Sequence, residues 1–548
     1  MAVIYVVILI GVLVFVHEFG HYIAARIFHV RVEHFSIGFG PKIWGFKRWD
    51  TDWEVRCLPL GGYVQMYGMD FEEVTDRSDP DFDKAYNNKP IWQKVLINLA
   101  GPLFNLLLPI PILFAVYMGT VTDDVVPRVG QIMDNSPAVG ILEPGDVITS
   151  INDKEIRYWG EVHDEIAARP EERLTLGILR DDQALKVEVT PEKTTIRDIL
   201  DINVQTVGRV GITPDLAPSV IGIASERGLA AQYGLRTFDE ITSVNGQAVR
   251  SYPDLEQAIR HHSGESLKLV FLRPEKLDVE YGSVHTLRRM EVEIPGAGSL
   301  ESLGIASANM FLSEVDVNSP ADKAGLRAGD RILEVDGKSV NVFRSFVNHL
   351  VQSWEKPHEL VVQRGDEVFR TTIQLEKLTV IGEFQDERPM IYSGFYQKSP
   401  YVDPDRVPMT PGDRLAYAGR VSIRTTVMAS GMLVMYLGQM VQGKVSTKSL
   451  GGPIMIGHMA SKAGADGIDA FMRMLAVISI NLGIINLVPI PLLDGGKLAI
   501  LFVEAIKRGP ISMRARQIIA YVGLAMVAML ILLAFKNDIE RMWNLFFS

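Results

Sequence analysis

Long apolar runs alternate along this chain with stretches of short-period patterning. Crossing about 30 Å of hydrocarbon takes about 20 mostly apolar residues, and four runs meet that length, near 2–27, 92–118, 471–491 and 518–535. The first opens on Met1-Ala2-Val3, with no basic residue ahead of it and no small-residue cleavage site behind it. It therefore reads as a resident span rather than a removable leader. A fifth run, 420–442, carries Arg424, Gln439, Gln442 and several glycines, and reads as an amphipathic surface helix.

Between the first two spans, segments 31–37, 42–48, 53–58 and 63–67 alternate on a period of two and are punctuated by turn clusters such as Gly38-Phe39-Gly40-Pro41 and Gly61-Gly62. They predict a small sheet beside the membrane. It is either a solvated hairpin cap or an edge that pairs with an extended chain and holds it.

The long middle segment contains an internal repeat. Gly145-Asp146-Val147-Ile148, Phe238-Asp239-Glu240-Ile241 and Gly329-Asp330-Arg331-Ile332 each lead into a short alternating strand that closes in Asn-Asp, Asn-Gly or Asp-Gly. The third copy, Gly325-Leu326-Arg327-Ala328-Gly329-Asp330-Arg331-Ile332, resembles the PDZ domain. The second has Phe238 in place of the glycine, and the first has Ile141-Leu142 in place of Gly-Leu. Similar modules bind extended peptides at a sheet edge, although each copy here could also serve only as a spacer.

The fold class expected is a multi-pass α-helical membrane protein with four transmembrane helices, a cytoplasmic membrane-associated β-sheet and three periplasmic PDZ-like α+β domains. The limits are 1–30 for the first span, 31–90 for the β-rich loop and 91–118 for the second span. PDZ-like copies follow at 121–200, 205–297 and 300–380, then a connector with the amphipathic helix at 381–470. The third span covers 471–505, the fourth 518–536 and a tail 537–548.

Charge orients this arrangement. Arg26, Arg31, Lys42, Lys47, Arg48, Arg56, Lys84, Lys89 and Lys94 fall between the first two spans, and Lys497, Lys507, Arg508, Arg514 and Arg516 between the last two. The positive-inside rule puts both loops in the cytoplasm, with the acidic middle segment and both termini outside. A net charge of −11 argues against a nucleic-acid partner. The lone Cys57 excludes an internal disulfide framework.

The first span carries the chemistry. His17-Glu18-Phe19-Gly20-His21 sets two imidazoles four residues apart, on one helix face, where both can reach a single zinc. Glu18 stands beside them as a general base for water. Polar groups inside a span cost roughly 2.5–3.5 kcal/mol each on insertion scales, which marks them as functional. Asp494, in Pro489-Ile490-Pro491-Leu492-Leu493-Asp494-Gly495-Gly496, is the candidate third ligand at matching depth. Its alternative role is an N-cap for the helix that follows.

These features together resemble the site-2 protease family of intramembrane zinc metalloproteases. His-Glu-x-x-His in the first span, Leu493-Asp494-Gly495 in a late span and the intervening PDZ-like copies carry the resemblance. Gly101-Pro102-Leu103-Phe104-Asn105, Phe35-Ser36-Ile37-Gly38-Phe39-Gly40 and Ser449-Leu450-Gly451-Gly452-Pro453 support it. The resemblance implies a Zn2+ cofactor held by His17, His21 and Asp494, with Glu18 catalytic. Asn481 and Asn486 then resemble substrate or transition-state contacts, unless they only bridge packed helices.

The implied substrates are single-span membrane proteins in the lipid bilayer, of the anti-sigma-factor or signal-peptide-remnant kind, trimmed beforehand by an upstream site-1 type protease. Oligomeric state is not legible. Two departures stand out: the family usually has two PDZ copies, and a histidine often stands where Lys497 does. A catalytically inactive membrane-tethered PDZ scaffold is the alternative, and a zinc-dependent regulator or transporter a further one. A transporter would spread polar residues over several spans, whereas here they gather at His17, Glu18, His21 and Asp494.

Overall fold

The computed structural model describes residues 2–69, 74–180, 182–197, 204–279, 282–381, 387–397, 402–443 and 451–547. Ser449 and Leu450 lie outside the described residues. The chain divides into two compact units, one built mainly from 1–122 and 409–548, the other from 123–382 and 387–408.

In the first unit, unbroken apolar sequence becomes helix. α1 spans Ala2–Ile27 and α2 spans Ile91–Leu107, continued as α3, Pro109–Thr120. Pro109 separates the last two because it lacks the N–H that would bond back into the preceding turn. Further helices run over Pro411–Val441, Pro453–Asp466, Ile468–Leu487, Asp494–Lys507 and Met513–Phe547. Leu9 and Leu13 of α1 pack with Ile112 and Leu113 of α3 and with Phe471 and Leu475 in one buried cluster.

Five helical stretches among the described residues are long and apolar enough to cross a membrane, where the sequence predicts four. The additional one is Pro411–Val441, expected as a surface helix over 420–442. It starts earlier because Thr410 accepts a hydrogen bond from the Asp413 N–H at 3.2 Å, with Pro411 in the first turn. The C-terminal end also differs from expectation. Asp538, assigned by sequence to the tail, is buried on the last helix and accepts hydrogen bonds from the N–H groups of Gly452 (2.8 Å), Ile454 (3.0 Å) and Met455 (3.0 Å). A carboxylate from one helix thus caps the orphan donors of another.

The sheet beside α1 is a single hairpin folded on itself. β1 (Val32–Arg48) and β2 (Thr51–Met66) meet at a tight turn whose two residues, Trp49 and Asp50, both have positive φ, the geometry that matches the twist of paired strands. Residues near the start of β1 pair on both sides, Ser36 with Glu54 and with Tyr63, while Gly45 pairs with Glu54. The result is four legs ordered 62–66, 32–37, 52–58 and 42–48. The leg 62–66 is an edge, and no described strand pairs with its outer side. Phe35, Tyr22 and Trp53 pack together between sheet and helix, Tyr22 meeting the other two rings edge to face.

In the second unit the repeat is structural. Three four-stranded antiparallel sheets share one order. In the first copy the strands run Lys154–Glu155, Val147–Ile151, Leu174–Arg180 and Gln183–Val189. The repeated aspartates Asp146, Asp239 and Asp330 are almost fully buried, and each takes a two-pronged ion pair from Arg180, Arg273 or Arg364 at 2.6–2.8 Å. Breaking a buried pair of this kind costs about 3–5 kcal/mol, which accounts for the motif in physical terms.

Each copy is closed by a short ribbon: Gln131–Ile132 with Ile212–Thr213, Ile221–Ile223 with Ile305–Ser307, and Glu314–Val315 with Phe395–Tyr396. In all three the closing strand falls beyond the limits read from sequence. A strand of two or three residues leaves no periodic trace to read.

Candidate metal centre

α1 presents His17 and His21 one turn apart on a single face, as their spacing dictates. Their Nε2 atoms lie 3.3 Å from each other, and Asp494 Oδ2 is 3.1 Å from the first and 3.3 Å from the second. The three atoms form a nearly equilateral triangle. Ligands at about 2.0–2.1 Å from a tetrahedral zinc stand about 3.3–3.4 Å apart, so this triangle has the dimensions that three zinc ligands require.

The far side of each ring agrees with that use. His21 Nδ1 is 2.8 Å from the carbonyl oxygen of Ile97. A carbonyl only accepts, so Nδ1 carries the hydrogen and Nε2 offers its lone pair inward. His17 Nδ1 is 3.2 Å from the side-chain amide of Asn105, whose buried Oδ1 has no hydrogen-bond partner. Half a turn of that amide brings Oδ1 to the His17 N–H and satisfies the orphaned oxygen, putting both rings in the ligand tautomer. Asn105 is missing from the sequence-derived site. It appeared there only within a family motif, because an asparagine 88 positions from its partner has no local signature.

Asp494 reaches the histidines because the chain breaks before it. The helix Ile468–Leu487 stops short of Pro489 and Pro491, and Leu492 sits at φ +85°, a conformation costly for a bulky side chain. The next helix begins at Asp494 with Leu493 as its N-cap and no side-chain capping bond. The capping role weighed for Asp494 is therefore not made, and its carboxylate is turned to the two imidazoles. Lys497 stands one turn on, its Nζ 3.7 Å from Oδ1, the oxygen not facing the rings.

α2 closes the site from behind. A Cβ at Gly101 would lie 2.3 Å from His21 Nε2, so only glycine admits the ring. On the opposite side the edge leg approaches as tightly. A Cβ at Gly62 would meet Ser36 O at 2.7 Å and Glu18 Cγ at 3.0 Å.

A cavity of about 500 Å³ opens here, lined by His17, Glu18, His21, Asp494 and the edge residues Gly62 to Met66. Glu18 is thus beside the ligand triangle and the open strand edge at once. Asn486 lines the same cavity, whereas Asn481 does not. The two are five residues apart on one helix and face different ways.

Comparison with known proteins bears on this geometry. The family model described as peptidase family M50 matches residues 5–530. The chain is similar to the regulator of sigma-E protease RseP of Salmonella typhimurium, 29% identical over 546 residues and 98% of each chain. It is also similar to a putative zinc metalloprotease of Thermotoga maritima, 26% identical over 583 residues and the full length of both. Among solved structures, the PDZ domain of an SdrC-like protein from Listeria monocytogenes covers 17% of this chain and 90% of its own at 23% identity, with a TM-score of 0.14, too slight to argue from.

Proposed function

The chain belongs to peptidase family M50, and from that premise we propose that His17, His21 and Asp494 hold its zinc, that Glu18 moves the proton, and that the edge leg 62–66 receives the substrate backbone. It is an intramembrane zinc metalloprotease of regulated intramembrane proteolysis, a multi-pass protein of the inner membrane that cleaves single-span membrane proteins. The observation that carries the reading is the ligand triangle built on a membrane helix.

When bound, zinc supplies Lewis acidity, which brings the pKa of water toward neutrality and polarises a carbonyl. The chain's own residues do the rest. Glu18 accepts the proton from the attacking water and returns it to the leaving amine. The Asn486 amide donates to the carbonyl oxygen as charge develops there, and we carry Asn481 as a further substrate contact on resemblance alone. Lys497 balances the Asp494 oxygen that does not face the two imidazoles.

A transmembrane helix hides its peptide bonds in internal hydrogen bonds, so the scissile segment must unwind first. The unwound stretch then needs partners for its bared backbone, and the open side of 62–66 offers them. The leg 52–58 lies between 32–37 and 42–48, interior to the sheet, and has no free edge.

The geometry of the site supports one topology over the others. Asp494 meets the histidines near the C-terminal ends of both α1 and the helix Ile468–Leu487, so these two spans run the same way. The helix Pro453–Asp466 has 14 residues, about 21 Å, short of a bilayer. If Pro411–Val441 crossed, no second crossing would restore the required sense. Four spans, with basic loops in the cytoplasm and both termini and the PDZ-like copies in the periplasm, satisfy this constraint, and the helix Pro411–Val441 has the lowest hydropathy of the five. We assign an upstream site-1 type cut to the substrate, after which the anti-sigma-factor or signal-peptide class becomes accessible.

Two experiments bear on this reading. Purified protein in detergent should cleave a single-span reporter, lose that activity to a zinc chelator and regain it with added zinc; cleavage indifferent to the chelator would overturn the assignment. Proline introduced singly at Tyr63, Val64 and Gln65 should lower cleavage about tenfold or more wherever the lost N–H faces the cavity. Unchanged rates at all three positions would remove the edge from the mechanism.

A further inference from the structure

Among the described residues one other set of side chains converges as metal ligands do, and it lies in the third repeat, far from the membrane helices in sequence. Asp336 Oδ2 is 2.7 Å from His358 Nδ1 and 2.8 Å from His349 Nε2, and the three atoms fall within 4.8 Å of one another. Three elements supply them: the turn after strand Arg331–Val335, the helix Phe343–Gln352 and the first residue of strand His358–Arg364.

The first two copies show what the fold itself requires at these positions. The turn residue is Asn152 or Asn245, with φ 48° in each, and its Oδ1 accepts from the N–H of Thr175 or Lys268. Asp336 Oδ1 does the same for Glu359 at 2.9 Å. One oxygen meets that need, and asparagine suffices. Where the neighbouring strand begins, the first two copies bury Leu174 and Leu267 completely, while the third buries His358 at 2% exposure. One residue before the last buried position of each helix (Ile166, Ile259, Leu350) stand Glu165, Ala258 and His349. Three departures that the fold does not call for thus meet at one point.

Proton placement sharpens the case. His358 Nε2 lies 3.2 Å from the Ser353 carbonyl oxygen, its nearer partner, and 3.5 Å from the Ser353 hydroxyl, which is itself 3.4 Å from the His349 carbonyl oxygen. Nε2 therefore carries a hydrogen, and a neutral ring turns its Nδ1 lone pair onto the Asp336 carboxylate oxygen. A lone pair set against a carboxylate oxygen at 2.7 Å is repulsive, so a cation joins the two: a second ring proton at this spacing, or a metal ion once the carboxylate has moved outward. A ring N–H on a backbone carbonyl with the other nitrogen free is how ligating histidines are held, and His21 on Ile97 repeats it at the membrane site.

We propose that Asp336, His349 and His358 form a second zinc site, which pins the helix and the turn to the sheet of the third repeat. Two imidazoles and a carboxylate suit zinc, with water in the fourth position. Asp336 and His349 are each about one-third exposed, so the ion has a path in from solvent. Binding moves the carboxylate outward by about half an ångström to reach ligand spacing.

The test is zinc counting on the full-length protein in detergent, after equilibrium dialysis against zinc. The native chain should retain about two ions, His349→Gln about one, His21→Ala about one, and the double variant none. His21→Ala keeps only the site proposed here, so zinc should still raise its unfolding temperature, and adding His349→Gln should abolish that rise. A native count of one that His349→Gln leaves unchanged would overturn the proposal and make His358 a buried imidazolium. A count of two that survives His349→Gln would overturn it as well.

Discussion

Exchanging Glu18 for glutamine is expected to lower reporter cleavage by about 10²–10⁴-fold while zinc content and unfolding temperature stay at native values. The amide keeps the shape of the side chain and removes only its capacity to take a proton. Glu18 lines the cavity but is not one of the three atoms of the ligand triangle, so metal retention follows from the geometry. The measurement pairs a cleavage assay with elemental analysis of the same sample. Full activity in Glu18→Gln would transfer the proton-moving role elsewhere, and absence of cleavage by both proteins would favour the inactive scaffold.

Gly101→Ala should have an effect of similar size by a different route. The new methyl carbon would stand 2.3 Å from His21 Nε2, the atom assigned to zinc, and the ring must swing away. Away from such contacts, alanine for glycine within a helix is worth about 0.5–1 kcal/mol of added stability. The expected signature is therefore loss of one zinc per chain and of cleavage, with thermal stability held or raised when both proteins are compared free of zinc. A variant that unfolds early would mean that α2 parts from α1 instead, and a variant with native zinc content would refute the proposed position of the ring.

The histidine pair was legible in sequence because its geometry is local: four residues on a helix fix one face, and the apolar surroundings mark it. Asp494 was legible more weakly, from the prolines and glycines around it. Asn105 and Gly101 were not, because their roles exist only once α2 lies against α1. The four legs beside α1 match the segments that the sequence predicts, while the closing strands of the repeats are too short for any period to announce them. Arg180, Arg273 and Arg364 carry no comparable signal, because each stands 34 residues from its aspartate partner on another strand. The cluster at Asp336 leaves a trace in the repeat: aligned on their turns, the copies read Leu174, Leu267 and then His358.

The open side of the leg 62–66 has a consequence for selectivity. Backbone groups without partners are costly in a medium that excludes water, and so are those of a helix that has come apart. Each deficit is relieved by the other. An intact span brings nothing that the protease lacks, so discrimination between folded and frayed segments needs no separate sensing device. It is set by how readily a candidate chain surrenders its own ladder of bonds, and residues far from the scissile peptide that loosen the helix become part of the recognition code.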